Sequence, residues 1–288
     1  MLSAPADLST SDVRAGLASG WGINSVEAAY RPVGFGSHHW AVTDDAGRRW
    51  FVTADVAGPW LEAALRTAAE LRASGLEFVV PPVISSTGRA THPVGRRYLL
   101  SVYPYVDGES GDFEEHRAED VEPLKALLAR LHATTARNAE PLDLDVPQLD
   151  DLVRARATTG DGPYGERARA LLTARSAKID ELLADYDRLR VRLPGRDQWV
   201  VTHGEPHPGN ILRAADGLRL VDWDTTRRAP AARDLWQVED RPEDAAYAFF
   251  RLRWQLADIS SFAAALSVPH TDTEDTSAMF GYLGDCLD

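Results

Sequence analysis

The sequence predicts an α+β protein of two lobes, a small lobe built on a mixed β-sheet and a larger, mainly helical lobe. Three observations predict it. Strand-like alternation is confined to about the first hundred residues, long stretches of helical spacing dominate afterwards, and Asp107-Gly108-Glu109-Ser110-Gly111 breaks the pattern between them. A chain of 288 residues that is 44% hydrophobic has enough apolar surface for more than one core. The expected division is 1–106 and 107–288.

In the small lobe, residues 48–56 (Arg48-Arg49-Trp50-Phe51-Val52-Thr53-Ala54-Asp55-Val56) alternate as a half-buried strand does, and Phe78-Val79-Val80 is a short apolar run. Between them, residues 59–74 place Leu61, Leu65, Ala68 and Leu71 on one helical face, with Pro59 near the start and Gly75 at the end. Residues 97–106 (RYLLSVYPYV) read as a buried strand running into a proline-containing connection. This makes the small lobe a set of short strands around one helix. In the second lobe, helices are expected at roughly 114–138, 164–192 and 242–266. Two short segments interrupt them. Residues 198–202 form a strand leading into His203-Gly204-Glu205-Pro206-His207-Pro208-Gly209-Asn210, and residues 217–221 form a second strand leading into Asp222-Trp223-Asp224. Two strands with carboxylates at their carboxyl ends suggest a paired hairpin with one polar rim.

Composition removes several functions. Forty-four acidic against 31 basic residues give a net charge of -13, a poor match to a phosphate backbone, so nucleic acid is not an expected partner. Cys286 is the only cysteine, which excludes an intramolecular disulfide and multi-cysteine zinc frameworks. The opening MLSAPADLSTSD lacks the charged and apolar regions of a signal peptide, and no apolar run approaches the ~18 residues of a membrane span; a cytoplasmic address without membrane contact is the expectation. Lys125 and Lys178 are the only lysines and neither follows a glycine, so a P-loop is absent. There is no Gly-x-Ser-x-Gly elbow, and His203-x-Glu205 lacks the Cys-x-x-Cys of a zinc deaminase.

Glu205, Asn210, Asp222 and Asp224 are hard oxygen donors, suited to magnesium rather than zinc or copper. Phosphoryl transfer uses such a set: a carboxylate beside the acceptor hydroxyl, and an amide and a carboxylate holding metal against the phosphates. Read singly, the aspartates could be strand-end turn residues, Arg233-Asp234 a surface ion pair, and the glycines a hairpin turn. It is their joint occurrence that points to chemistry.

VTHGEPHPGNIL, then LRLVDWD, then Arg233-Asp234-Leu235-Trp236 resembles the signature of the aminoglycoside phosphotransferase family, which has a two-lobed protein-kinase-like fold. Ala129-Arg130-Leu131-His132 is similar to the family's helix before the loop. The resemblance implies magnesium-dependent transfer of the γ-phosphoryl group of ATP or GTP to a hydroxyl of a small molecule, such as an aminoglycoside-like antibiotic or a metabolite. It implies Glu205 as catalytic base, Asn210 and Asp222 as magnesium ligands, Asp224 as a further metal carboxylate, and His203 and Asp234 as braces of the loop. It also implies a glycine-rich phosphate-covering turn at Gly34, Gly36 and Ser37, and nucleotide contacts from the hinge at Tyr103, Tyr105 and Val106. Thr53 falls where the family carries its small-lobe lysine.

Two departures stand out. The family shows Asp where this chain has Glu205, and no lysine precedes Lys125. Glu62 and Glu70, on the helix that would supply the lysine's partner, then read as surface charges. Arg48, Arg49, His38 and His39 are the cations that could serve instead. The alternative reading is a pseudokinase, a nucleotide- or ligand-binding module that keeps the fold. Glu239, Asp240, Glu243, Asp244 and Asp258 suit a cationic acceptor, although an acidic surface also serves solubility.

Overall fold

In a computed structural model describing residues 1–111, 115–157 and 160–288, the chain divides into two compact units. One comprises residues 1–142 and 196–240, the other residues 143–195 and 241–288.

The first unit opens with helix α1 (Thr10–Trp21), closed at its start by a reciprocal Ser9/Asp12 capping box. A five-stranded antiparallel sheet follows, of order β1-β2-β3-β5-β4, from β1 (Ser25–Arg31), β2 (His38–Asp44), β3 (Arg49–Val56), β4 (His92–Val94) and β5 (Tyr98–Pro104). Period-two alternation gives the sheet two different faces. Val52, Ala54, Leu100 and Val102 join Trp40, Val42, Val13 and Leu17 in one core. Phe51, Thr53 and Asp55 point to the other face, opposite Tyr103, Ser101 and Leu99. Leu99 and Tyr103 pack there against Leu61 and Leu65 of α2 (Leu61–Ala73).

The unit continues with β6 (Glu109–Ser110) and α3 (Ala118–His132). The start of the helix expected from residue 114 lies outside the described residues. Residues 198–202 appear as β7 (Val200–Thr202), and residues 217–221 as β9 (Gly217–Leu220). These two strands do not pair with each other, contrary to the hairpin expected from sequence. The intervening β8 (Ile211–Ala214) turns directly into β9 and occupies its edge, and β7 pairs instead with β10 (Arg227–Ala229). Phe78-Val79-Val80 belongs to no sheet but bonds to Leu220 on both sides (Val80 N to Leu220 O 3.1 Å; Leu220 N to Phe78 O 2.8 Å). A second core gathers Leu71, Phe78, Leu124, Leu128, Leu131, Ile211, Leu220 and Trp223 around the short α7 (Ala232–Leu235) and its neighbours. The loop and turn that carry the predicted chemistry are anchored on it.

The second unit is helical: α4 (Leu149–Ala157), α5 (Gly165–Ala174), α6 (Ser176–Arg190), α8 (Ala245–Leu266) and α9 (Glu274–Leu287). Its core joins Leu152, Leu172, Ile179, Ile259, Leu266 and Leu283. The single helix expected over 164–192 is two, broken at Arg175, where ψ reaches 14° and the helical register is lost. No helix among the described residues is long and apolar enough to cross a membrane.

Candidate active site

β7 ends at Thr202, and the chain enters a loop fixed by one buried carboxylate. Asp234, fully buried at the start of α7, accepts hydrogen bonds from the backbone N–H of His203 (3.1 Å) and of Gly204 (2.6 Å), and from His132 Nε2 on α3 (2.8 Å). Burial works to raise its pKa, but the hydrogen bond and charge of His132 and the nearby His203 and Arg233 outweigh it and hold the carboxyl below its ordinary value. Arg233 is buried as well, not a surface charge: its Nη1 donates to Thr202 Oγ1 and its Nη2 to the Thr225 carbonyl, both at 2.9 Å. Its guanidinium fills the space where a side chain at residue 204 would sit, and Gly204 has φ 105°. Only glycine meets both demands.

His203 is fully buried against Trp223, with ring centroids 4.5 Å apart. Its Nε2 lies 2.9 Å from the Val221 carbonyl, and its Nδ1 accepts from the Glu205 N–H at 3.2 Å, which assigns the proton to Nε2. Burial pushes its pKa down to about 4, so the ring is neutral and ties the loop to the strand before Asp222. Asn210 is buried; its Nδ2 donates to the Glu205 carbonyl (3.0 Å), leaving the amide oxygen for a cation. Thr225 Oγ1 closes the frame by donating to the His203 carbonyl at 2.9 Å.

Asp222 has φ 63°, the left-handed region that a non-glycine residue enters only when the surroundings impose it. Desolvation, then repulsion from Asp224, Glu205 and Asp55, pushes its pKa well up. Asp224 is raised too, by desolvation, although a hydrogen bond to Asp222 and the charges of Arg227 and Arg233 oppose it. Asp222, Asp224 and Asn210 thus hold crowded hard-oxygen donors that a divalent cation would neutralise. Among the described residues no three His, Cys, Asp or Glu side chains close around a cation by themselves. Magnesium takes one or two carboxylates and completes its shell with water and substrate phosphates.

The five-stranded sheet of the same unit and its flanking turn carry the remaining predicted residues. Gly34 (φ 67°) and Gly36 (φ 92°) form the turn between β1 and β2, and the Met1 amino group donates to the carbonyls of Val33, Gly34 and Ser37. Ser37 Oγ donates to Asp55, whose carboxyl is pushed up to about 7 by burial and then by the charge of Asp224. Thr53 is buried beside His39 Nδ1 at 3.2 Å. Burial, with the charges of Asp55, Asp222 and Asp224, raises the Tyr103 phenol. At the strand end the Tyr105 N–H bonds to the Arg49 carbonyl (3.2 Å), with the Arg49 guanidinium 4.4 Å over its ring, and Val106 follows.

Glu62 and Glu70 are not surface charges. Glu62 accepts from Ala90 N, Thr91 N and Thr91 Oγ1, and Glu70 accepts from the N–H groups of Arg137 and Asn138 and from the Asn138 amide. Of the acidic residues at 239–258, Glu239 pairs with Lys125 at 3.2 Å, Asp244 caps α8 through Ala246 N, and burial pushes Asp258 up to about 6. His207 serves as a hydrogen-bonding group of the loop, with Nε2 3.1 Å from Asn210 Nδ2, whereas sequence reading missed Asp55 and the depth of Arg233. Alternation along β3 could have flagged Asp55, since it shares Thr53's face.

The chain is 28% identical over 233 residues to Protein StrN of Streptomyces griseus, covering 73% of this chain and 72% of that protein. It superposes on a spectinomycin phosphotransferase, APH(9)-Ia, solved with ADP and spectinomycin, at a TM-score of 0.75 and 16% identity over 98% of this chain and 95% of that one. An amicoumacin kinase solved with AMP-PNP, Ca²⁺ and its substrate superposes at 0.60 with 12% identity, over 98% and 94% of the two chains. These solved structures share the kinase-like fold. The model of the phosphotransferase enzyme family matches residues 29–264, from β1 to the end of α8, and this chain belongs to that family.

Proposed function

We propose that the protein transfers the γ-phosphoryl group of ATP or GTP, in a magnesium-dependent reaction, to a hydroxyl of a small molecule, an aminoglycoside-like antibiotic or a related metabolite. The observation that carries this reading is the frame around Asp234, His203 and Thr225. It fixes the loop of Glu205 and Asn210 beside the turn of Asp222 and Asp224, whose carboxyls and Glu205 feel one another's charge, within the unit that also carries the glycine turn and the strand end at Tyr103–Val106.

In this reading residues 1–106 carry the nucleotide, with Gly34, Gly36 and Ser37 over the phosphates, Thr53 on the sheet beneath, and Tyr103, Tyr105 and Val106 at the base. Residues 107–288 supply the catalytic loop and the acceptor site. Asn210 and Asp222 would hold magnesium, with Asp224 beside them; bound there, the cation neutralises charge on the phosphates. Glu205 orients the acceptor hydroxyl and takes its proton as the phosphorus–oxygen bond forms, and the nucleoside diphosphate departs. The glutamate carries one methylene more than the family's aspartate, which suits an acceptor hydroxyl set slightly farther from the loop. The solved relatives bind spectinomycin or amicoumacin together with a nucleotide, which supports a hydroxylated small molecule as acceptor.

The test is transfer from [γ-³²P]ATP and [γ-³²P]GTP to a panel of aminocyclitols, aminoglycosides and sugar alcohols. Glu205→Gln should lower turnover by about 10² or more while nucleotide affinity changes little. Unchanged turnover would remove Glu205 from the base role.

A further inference from the structure

A triphosphate under Gly34–Ser37 requires donors from the sheet below, and the first lysine of the chain is Lys125. Five basic side chains lie near enough in sequence to serve, and the register and burial of the sheet separate them. Arg31 stands opposite His39 on the edge strand β1 and is exposed to solvent. Arg48 turns to Asp44, with its Nε donating at 2.8 Å, and covers Trp50. Arg49 pairs with Asp107 and covers Tyr105. His38 stands opposite Ala54, on the core face, with its Nδ1 3.1 Å from the Tyr30 hydroxyl and its ring edge-on to Tyr98.

His39 differs. It stands opposite Thr53, stacks on Phe51 with centroids 5.1 Å apart, and has Nδ1 3.2 Å from Thr53 Oγ1. That is the face of Asp55 and Tyr103, whose carboxyl and phenol feel the charges of the Asp222–Asp224 turn. When the Thr53 hydroxyl donates to Nδ1, the ring proton resides on Nε2. Nε2 lies 3.8 Å from where a side chain on Gly34 would begin, directly beneath the glycine turn, and it has no hydrogen-bond partner among the described residues.

We infer that His39 Nε2–H donates a hydrogen bond to the phosphates of the bound nucleotide, filling the place of the missing lysine, with Thr53 holding the required tautomer. The inference rests on the phosphotransferase reading above. Burial first, then the charges of the Met1 amino group and His38, push the His39 pKa down to about 3, so the free protein presents a neutral, fixed donor. Nor do the glutamates of α2 wait for an ammonium: Glu62 is spent on Ala90 and Thr91, and Glu70 on Arg137 and Asn138.

The experiment is calorimetric titration of the full chain with the tighter-binding of MgATP and MgGTP, and in parallel with the corresponding nucleoside. His39→Phe keeps the stacking on Phe51 and removes both ring nitrogens. It should weaken the magnesium–nucleotide complex by about tenfold or more, the loss of a hydrogen bond to a charged acceptor, and leave the nucleoside within about twofold. His39→Lys should recover most of the loss, and Thr53→Val should reproduce part of it. Binding of the nucleotide by His39→Phe within about twofold of the unsubstituted chain, or an equal loss for the nucleoside, overturns the assignment. An unsubstituted chain that binds neither nucleotide overturns the phosphotransferase reading and this inference together; one that binds while His39→Phe matches it overturns the histidine alone. Should His39→Phe not fold, ¹H–¹⁵N imidazole spectra of the unsubstituted chain decide. The His39 Nε2 resonance should move on adding the nucleotide and stay in place with the nucleoside, and a resonance that ignores the phosphates refutes the contact.

Discussion

Replacing Asp234 by Asn perturbs the frame at its centre while changing almost no volume. The carboxylate accepts from His203 N, Gly204 N and His132 Nε2, and is fully buried. An amide can offer only one oxygen to these donors. If that oxygen takes the place of Oδ2, serving His203 and His132, the new NH₂ faces the Gly204 N–H, donor against donor in a site closed to water. Leaving one buried donor unsatisfied costs about 1–3 kcal/mol, and replacing charge-assisted bonds by neutral ones adds about 1–2 kcal/mol, for a total of about 2–5 kcal/mol. That is a large part of the ~5–15 kcal/mol that stabilises a typical domain. The assay is urea unfolding followed by tryptophan fluorescence, in which Trp223 beside His203 reports on the loop. Turnover below the unfolding range should fall by about 10² or more, since displacement of about 1 Å at Gly204 misplaces Glu205. An Asp234→Asn protein within about 1 kcal/mol of the original, with turnover intact, would refute the idea that this carboxylate sets the loop.

Gly204→Ala should be at least as damaging to turnover, because a Cβ there meets the Arg233 guanidinium at φ 105°, and normal kinetics would show that the loop yields easily. His203 has a folded pKa of about 4 against about 6.5 unfolded, so the unfolded chain binds the extra proton between these values. Stability from this residue is complete above pH ~6.5 and is lost as pH falls towards 4, by about 3 kcal/mol; urea midpoints that do not move across that window would contradict the buried neutral ring. Asp222→Ala should abolish the magnesium dependence of nucleotide binding, and an unchanged dependence measured by calorimetry would remove Asp222 from the metal site.

Much of this site is legible in one dimension because its residues are close in sequence. His203 to Asn210 form one loop, and Asp222-Trp223-Asp224 one turn, so spacing alone displays them. What spacing hides is made by contacts across long separations. Glu70 reads as a solvated helix charge until the backbone of residues 137–138 is brought to it, and Arg233 reads as a surface residue until Thr202 and Thr225 close over it. Helix α1 adds a second helix where one was expected among the first hundred residues; Ser9 and Asp12 mark its start, but its weak amphipathicity leaves little periodic signal. β7 pairs with β10 because β8, joined to β9 by a tight turn, takes the β9 edge, and alternation does not encode that choice.

The most direct measurement is calorimetric titration of the purified chain with ATP and with GTP, each with and without Mg²⁺. Phosphoryl transfer at Glu205, Asn210 and Asp222 predicts that at least one nucleotide binds and that its binding requires the cation. Failure of folded protein to bind either nucleotide, or binding indifferent to Mg²⁺, would contradict it.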